Sequence, residues 1–265
     1  MPRRVASLLL ATLPAVTIAE DIPAARPKDI VAACARARPG DTIVMANGTW
    51  RDADVVFRAQ GAPGAPITLR AHSPGGVVLT GRSRLRIGGE HLVVSGLCFR
   101  DGWAEEDVIA FRADSKNLAS NCRVTGCAII GSTRPDEGGA RDSSHWISLY
   151  GTSNRMDHCA VSGKRDAGTT LVVWVGDSPN GHRIDRNYFG PRPPLGRNGG
   201  ETIRVGTSDV SMQESGTVVE ENYFERCDGE VEIISNKSCG NVYRRNTFVA
   251  CSGTLTLRHG NRCSV

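Results

Sequence analysis

Val218–Ile233 reads VVEENYFERCDGEVEI, and Val242–Leu257 reads VYRRNTFVACSGTLTL. Offset by 24 residues, the two match Asn222 with Asn246, Phe224 with Phe248, Cys227 with Cys251 and Gly229 with Gly253. An earlier copy, RIDRNYFG at 183–190, places Asn187 and Phe189 in the same register. The step from Asn187 to Asn222 is 35 residues, and its surplus over one repeat reads as a loop around Gly206–Ser215. Short β-type segments with Asn and Gly turns at such a period are the mark of a solenoid. The leucine pattern of a leucine-rich repeat is missing. The segments alternate instead. In Glu230–Ile234, Val231 and Ile233 are expected inward, Glu230 and Glu232 outward. In Thr254–Arg258, Leu255 and Leu257 are expected inward, Thr254, Thr256 and Arg258 outward. Strands that recur in each coil and stack on their equivalents give an all-β fold, a right-handed parallel β-helix of about 24 residues per coil.

The same stacking suggests a role for the cysteines. Cys98/Cys122, Cys227/Cys251 and Cys239/Cys263 are each 24 apart, so each pair is expected on adjacent coils as buried, reduced, small hydrophobes. Asn187, Asn222 and Asn246 are expected to form a structural turn ladder. Toward the N-terminus, Pro27–Arg38 has helical character and suits a cap over the open end of the solenoid, whose edge would otherwise template aggregation. Short apolar segments follow at Thr42–Met45, Ile67–Leu69, Val77–Leu79 and Leu92–Val94, separated by turns such as PGD, NGT and SPGG.

Composition narrows the function. The chain has 265 residues and a net charge of +4, with no long block of like charge, which argues against nucleic acid as a partner. Residues 1–19, MPRRVASLLLATLPAVTIA, pair two arginines with an apolar stretch too short to span a bilayer, and Thr17 and Ala19 suit a cleavage site. This reads as a signal peptide ahead of one β-helix domain over 20–265, secreted or periplasmic, with no membrane partner. Nine cysteines, an odd number, leave at least one thiol unpaired. Adding one repeat to Asn246 passes Val265, so the expectation is a solenoid truncated inside a coil, prone to aggregation and weakly active.

Stacking the coils gathers chemistry on one face: Glu230 and Glu232 on one strand, Arg258 on the next, Lys237 five residues past the acidic pair, and Arg204 on the coil below. By pattern alone this is also a solvated face with cross-coil ion pairs, which contribute little stability. The functional reading is a hard-cation site of oxygen ligands, suited to Ca²⁺, beside cationic acid–base groups.

NGGETIRVGTS (198–208), GEVEIISNKS (229–238) and GTLTLRHGN (253–261) resemble the catalytic motifs of polysaccharide lyase family six, which holds alginate lyases and chondroitinase B on a parallel β-helix. The likeness continues upstream through PGDTIVMANGTW (39–50), PITLRA (66–71), LVVSGLCFRDG (92–102) and HRIDRNYFGPRP (182–193), in order and over nearly all of the chain past residue 19. The resemblance implies Asn198, Glu230 and Glu232 as Ca²⁺ ligands, Lys237 as general base and Arg258 as general acid. It implies Arg204 and His259 as substrate contacts. Glu201, in NGGE, reads as a support behind the ligands or as a partner of Arg204. His182 reads as a groove contact or as a turn histidine.

The implied reaction is β-elimination on a uronic-acid polymer, alginate by the wording of the motifs, with dermatan sulfate as the alternative. The proton alpha to a carboxylate is weakly acidic, because its loss makes a dianion, and a bound Ca²⁺ relieves that cost. Lys237 must be neutral to accept the proton. Arg258 barely titrates and suits charge stabilisation of the leaving oxygen, with water as the proton source, as well as it suits proton donation. A hydrolase needs carboxyls on both sides of the bond, and Glu230 and Glu232 lie side by side. A non-catalytic carbohydrate-binding β-helix is the reading from another class.

Overall fold

The computed structural model describes residues 19–132 and 144–265. The signal-peptide reading, but for its last residue, lies outside the described residues. Among these, no helix is long and apolar enough to cross a membrane.

Three parallel sheets run the length of a right-handed β-helix. The first begins with Asp21–Ala24 and ends with Val242–Arg244. The second ends in the order Ile203–Val205, Glu232–Lys237, Thr254–His259, and the third ends with Thr247–Val249. Every inter-strand pairing among the named strands is parallel. Inward side chains, such as Ile43, Leu69, Val94, Val124, Met156, Ile184 and Val219 along the first sheet, are buried and form one continuous core. Helix α1, Pro27–Cys34, starts with its proline at the first turn, where no N–H partner is needed. It buries Ile30 and Ala33 and packs on the first strands, so the expected cap is in place.

The 24-residue step holds from Val218 to Val242. Other coils of the first sheet range from 21 residues (Asp21 to Thr42) to 35 (Arg183 to Val218). The longest carries the expected surplus, which includes a 3₁₀ turn at Ser208–Val210. Coil length varies because turns lengthen while the strand register is kept. This variation corrects two cysteine pairs. Cys98 lies in the third sheet beside Ala128, whereas Cys122 sits at a turn and donates its N–H to Asn154 Oδ1. In the last coil Val242 pairs with Ser264, a step of 22, so Cys263 falls beside Asn241 and not Cys239. Cys227 and Cys251 do stack, with the Cys227 N–H 3.4 Å from Cys251 Sγ. Cys127 and Cys159 also stack by register, at a spacing the repeat did not suggest. All nine cysteines are free thiols.

The asparagine ladder forms as expected. Cys159 N–H donates to Asn187 Oδ1 at 3.0 Å, Asn187 N–H to Asn222 Oδ1 at 3.0 Å, and Asn222 N–H to Asn246 Oδ1 at 3.1 Å. Phe189, Phe224 and Phe248 stack beside it, 5.0 and 4.8 Å apart. The outer face of the first sheet explains the preference for arginine, 28 of the 32 basic residues. Arg123 clasps buried Asp157, and Arg155 clasps buried Asp185, each through two guanidinium nitrogens. Arg183 reaches Glu220, which also accepts from Arg244 at 2.7 Å. A planar fork can bridge carboxylates on successive coils where a lysine would reach one.

Candidate active site

Glu201, Glu230 and Glu232 converge beside the entry to two neighbouring strands of the second sheet. One oxygen from each lies within 4.8 Å of the others. Two close backbone approaches make this possible. A Cβ on Gly200 would lie 2.4 Å from the Gly229 carbonyl oxygen, and one on Gly229 would lie 2.3 Å from that of Gly200, so both positions need glycine. The turn so compressed aims the N–H groups of Gly199 and Gly200 at Glu230 Oε2, at 2.7 and 3.0 Å.

The strand that follows departs from simple alternation. Val231 is 67% exposed, contrary to the inward placement read from sequence. The pairing skips a residue between Glu232↔Thr254 and Ile234↔Leu255, so Ile233 is bulged; it is buried in the core as expected, and Ile234 and Asn236 are buried after it. The bulge lets Glu232 reach the cluster while Lys237 stays on the outer face. Lys237 then stands beside His259 in register, with its Nζ 3.9 Å from Glu201 Oε1. Arg204 Nη1 is 3.9 Å from the same oxygen. Arg258 Nη1 donates to Glu232 Oε1 at 2.8 Å. Burial opposes ionisation of Glu232, but hydrogen bonding from Ser235 and Arg258 and the charges of Arg258 and Lys237 outweigh it and hold its pKa below the usual range.

Asn198 is exposed immediately before Gly199 and lines both neighbouring cavities. The larger, about 630 Å³, is bounded by Asn198, Glu230, Glu232 and Arg258. The smaller, about 230 Å³, is bounded by His145, Trp174, Asn198 and Arg204. His145 Nδ1 and Arg204 Nε are buried with no hydrogen-bond partner.

Seven of the nine residues named from sequence therefore lie around the carboxylate cluster, and His259 lies in register with Lys237 on the terminal strand. Glu201 stands beside the acidic pair, its carboxylate one of the three that converge. It also meets the alternative reading, although 3.9 Å to Arg204 is a long pairing. Of the two readings of His182 the turn histidine holds and the groove contact is corrected: it is fully buried at a turn between Asn154 and Thr217. Its Nδ1 accepts the Asn154 N–H at 3.1 Å, the job that Asn241 Oδ1 does for Thr217 two coils on. Burial drives the His182 pKa down to about 3. The folded state thus binds fewer protons than the unfolded chain below the ordinary histidine value. That stability is complete above about pH 6.5 and is lost as pH falls toward 3. His182→Asn keeps the acceptor and removes the titration. It is expected to recover about 2 kcal/mol relative to wild type on going from pH 7 to pH 5, read from urea midpoints.

Arg192, within the quoted GPRP stretch, had no role by spacing. The structure buries its guanidinium, which donates to the carbonyls of Glu201 at 2.7 Å and Gly168 at 2.8 Å and to Thr170 Oγ1 at 2.8 Å. It thereby ties the turn that carries Glu201 to the turn before it, around Gly168 and Thr170. Burial lowers its pKa to about 10, against the pull of Asp166 and Glu201. Arg192→Lys leaves several carbonyls unmet and is expected to destabilise the fold by about 3 kcal/mol. An unchanged unfolding midpoint would contradict this clamp.

Oxygen donors alone, three of them anionic and mutually close, suit a hard divalent cation such as Ca²⁺. Three carboxylate oxygens within 4.8 Å of one another form a donor set that fits such an ion.

The chain is similar to known proteins over most of its length. A family model described as Chondroitinase B matches residues 25–265. The PL6 family alginate lyase AlyGC is 51% identical, superposes with a TM-score of 0.88 and shares 92% of this chain and 34% of its own. A mannuronic acid specific family 6 lyase from human gut microbiota is 42% identical, with a TM-score of 0.85 over 91% of this chain and 56% of its own. A PL6 alginate lyase in complex with a trisaccharide is 25% identical, with a TM-score of 0.76 over 94% of this chain and 53% of its own. The chain thus spans about a third to just over half of these relatives. Among curated proteins there is no match.

Proposed function

Because the chain belongs to the Chondroitinase B family, polysaccharide lyase family six, we propose that it cleaves a uronic-acid polymer, alginate, by cation-assisted β-elimination. The observation that carries this reading is the convergence of Glu201, Glu230 and Glu232 beside Lys237 and Arg258. Asn198, Glu230, Glu232 and Glu201 are the residues that would hold Ca²⁺. When bound there, a hard cation neutralises the substrate carboxylate and stabilises the charge that develops on it.

The chain's own groups do the rest. Lys237 Nζ takes the proton from the carbon alpha to the carboxylate. That electron pair becomes a carbon–carbon double bond, and the bond to the glycosidic oxygen breaks. Arg258, 54% exposed at the rim of the larger cavity, offers its guanidinium to the leaving oxygen, which takes its proton from water. Arg204 takes the carboxylate of a bound sugar with the Nε that lacks a partner. The three carboxylates lie together, not on opposite sides of a sugar, which supports elimination over hydrolysis.

The test is the mass of the products. Polymannuronate, polyguluronate and dermatan sulfate are each incubated with the chain. Elimination gives fragments one water lighter than hydrolysis, and they are expected from the alginate polymers. Fragments of hydrolytic mass, or unsaturated fragments from dermatan sulfate alone, would overturn the assignment.

A further inference from the structure

The outer row of the second sheet that carries Lys237 and His259 can be followed back through the solenoid. Lys237 pairs with His259, and the register of the four preceding strands continues the row to Gly206, Trp174, Tyr150 and Arg112. Each step is one coil, ~4.8 Å. Tyr150 and Trp174 stack with centroids 5.8 Å apart and planes 9° from parallel. Arg112 lies 4.0 Å over the Tyr150 ring at one end of the stack, and Arg204 lies 5.8 Å over the Trp174 ring at the other. Trp174 Nε1 donates to Ser148 Oγ at 3.1 Å, which fixes the stack from below. Gly206 has no side chain, so Arg204 can fold into the gap between Trp174 and Lys237.

Both ends open on a cavity. The Arg204 end borders the 230 Å³ cavity beside the carboxylate cluster. The Arg112 end borders another of about 180 Å³. In that cavity Arg84 and Arg86 are both bound to Asp54, at 3.0 and 2.8 Å, and buried Asp107 accepts from Ser148. Arg112 is in none of the close ion pairs of the described residues; its charge acts on Asp107, and Glu106 and Asp114 also line this cavity. Two guanidiniums thus stand three coils apart, ~14 Å, held by cation–π contact at the ends of a rigid aromatic spacer.

We propose that Arg112, seated on the Tyr150–Trp174 stack, is a second carboxylate-binding position for an anionic polysaccharide lying along the solenoid axis. Arg204 takes one uronate beside the cluster. Arg112 takes a later one toward the N-terminal end. Affinity therefore rises with chain length until a polymer reaches both. This rests on the uronate-polymer reading above but not on cleavage.

The test measures binding of mannuronate and guluronate oligosaccharides of increasing length by calorimetry, in the Lys237→Ala chain so that none is consumed. Affinity is expected to climb with length and then level off. Adding Arg112→Ala is expected to remove the last rise, about tenfold, and leave the shortest oligosaccharides unaffected. Tyr150→Ala should act in the same direction by unseating Arg112, and Tyr150→Phe should restore the rise. Arg112→Gln with an unchanged melting temperature guards against misfolding. Equal affinities of the Arg112 variants and their parent at every length would overturn the proposal, as would no binding at all. Length-dependent binding by a wild-type chain that yields no unsaturated product would sink the lyase reading and leave this one standing.

Discussion

Lys237→Ala is expected to lower the rate of elimination by about 10²–10⁴-fold, the usual worth of a positioned general base. The strand geometry supports the size of the effect. Lys237 ends a strand locked between Ile203–Val205 and Thr254–His259, and its side chain is 14% exposed. Its Nζ lies 3.9 Å from Glu201 Oε1, beside the place where a substrate carboxylate would meet a bound cation. Lysine is otherwise scarce, at four in the chain. Lys164 is buried and holds Asp166 and the Ser144 carbonyl, so it cannot stand in. Lys237→Arg should not rescue, because a guanidinium does not give up its proton near neutrality. Initial rates show whether this holds, with a melting curve to confirm the fold. A loss of only a few-fold would remove Lys237 from the role of base.

Glu201→Gln is expected to have the second-largest effect, on cation binding. The side chain is 2% exposed, its Oε2 accepts from Thr169 Oγ1 at 3.2 Å, and one of its oxygens faces both Glu230 and Glu232. Gln keeps the shape and removes one of three negative charges, which sets hard-cation affinity more than shape does. A loss of at least tenfold in Ca²⁺ affinity is expected. It can be read without any turnover, because a ligand that binds only the folded state raises its stability in proportion to RT ln(1 + [L]/Kd). Wild type should gain thermal stability as Ca²⁺ is added, and Glu201→Gln should gain less at each concentration. Equal gains would return Glu201 to a purely supporting part.

The fold was legible because stacking imposes identity. A ladder asparagine has to supply Oδ1 to the coil before it, and a core phenylalanine has to meet another, so Asn187, Asn222, Asn246 and their phenylalanines repeat visibly. The same logic failed for Cys98 and Cys239, because a constant spacing marks equivalence only where turns keep their length. At the site, the acidic and basic residues of the last three coils could be gathered from short spacings and from the family motifs. The bulge at Ile233 could not, since a skipped residue leaves no trace in an alternating pattern. His182 was misplaced in part because histidine serves both as a groove contact and, neutral, as a turn acceptor. Trp174, Tyr150 and Arg112 were missed for another reason. They lie in coils of unequal length, so only the pairing of strands puts them in one row with Lys237.

The most direct test of cation-assisted elimination is the growth of ultraviolet absorbance when the wild-type chain meets alginate, before and after chelation and again after Ca²⁺ is returned. The account predicts steady growth that stops with chelator, resumes with Ca²⁺ and never starts in Lys237→Ala. Growth that continues unchanged through chelation would contradict it.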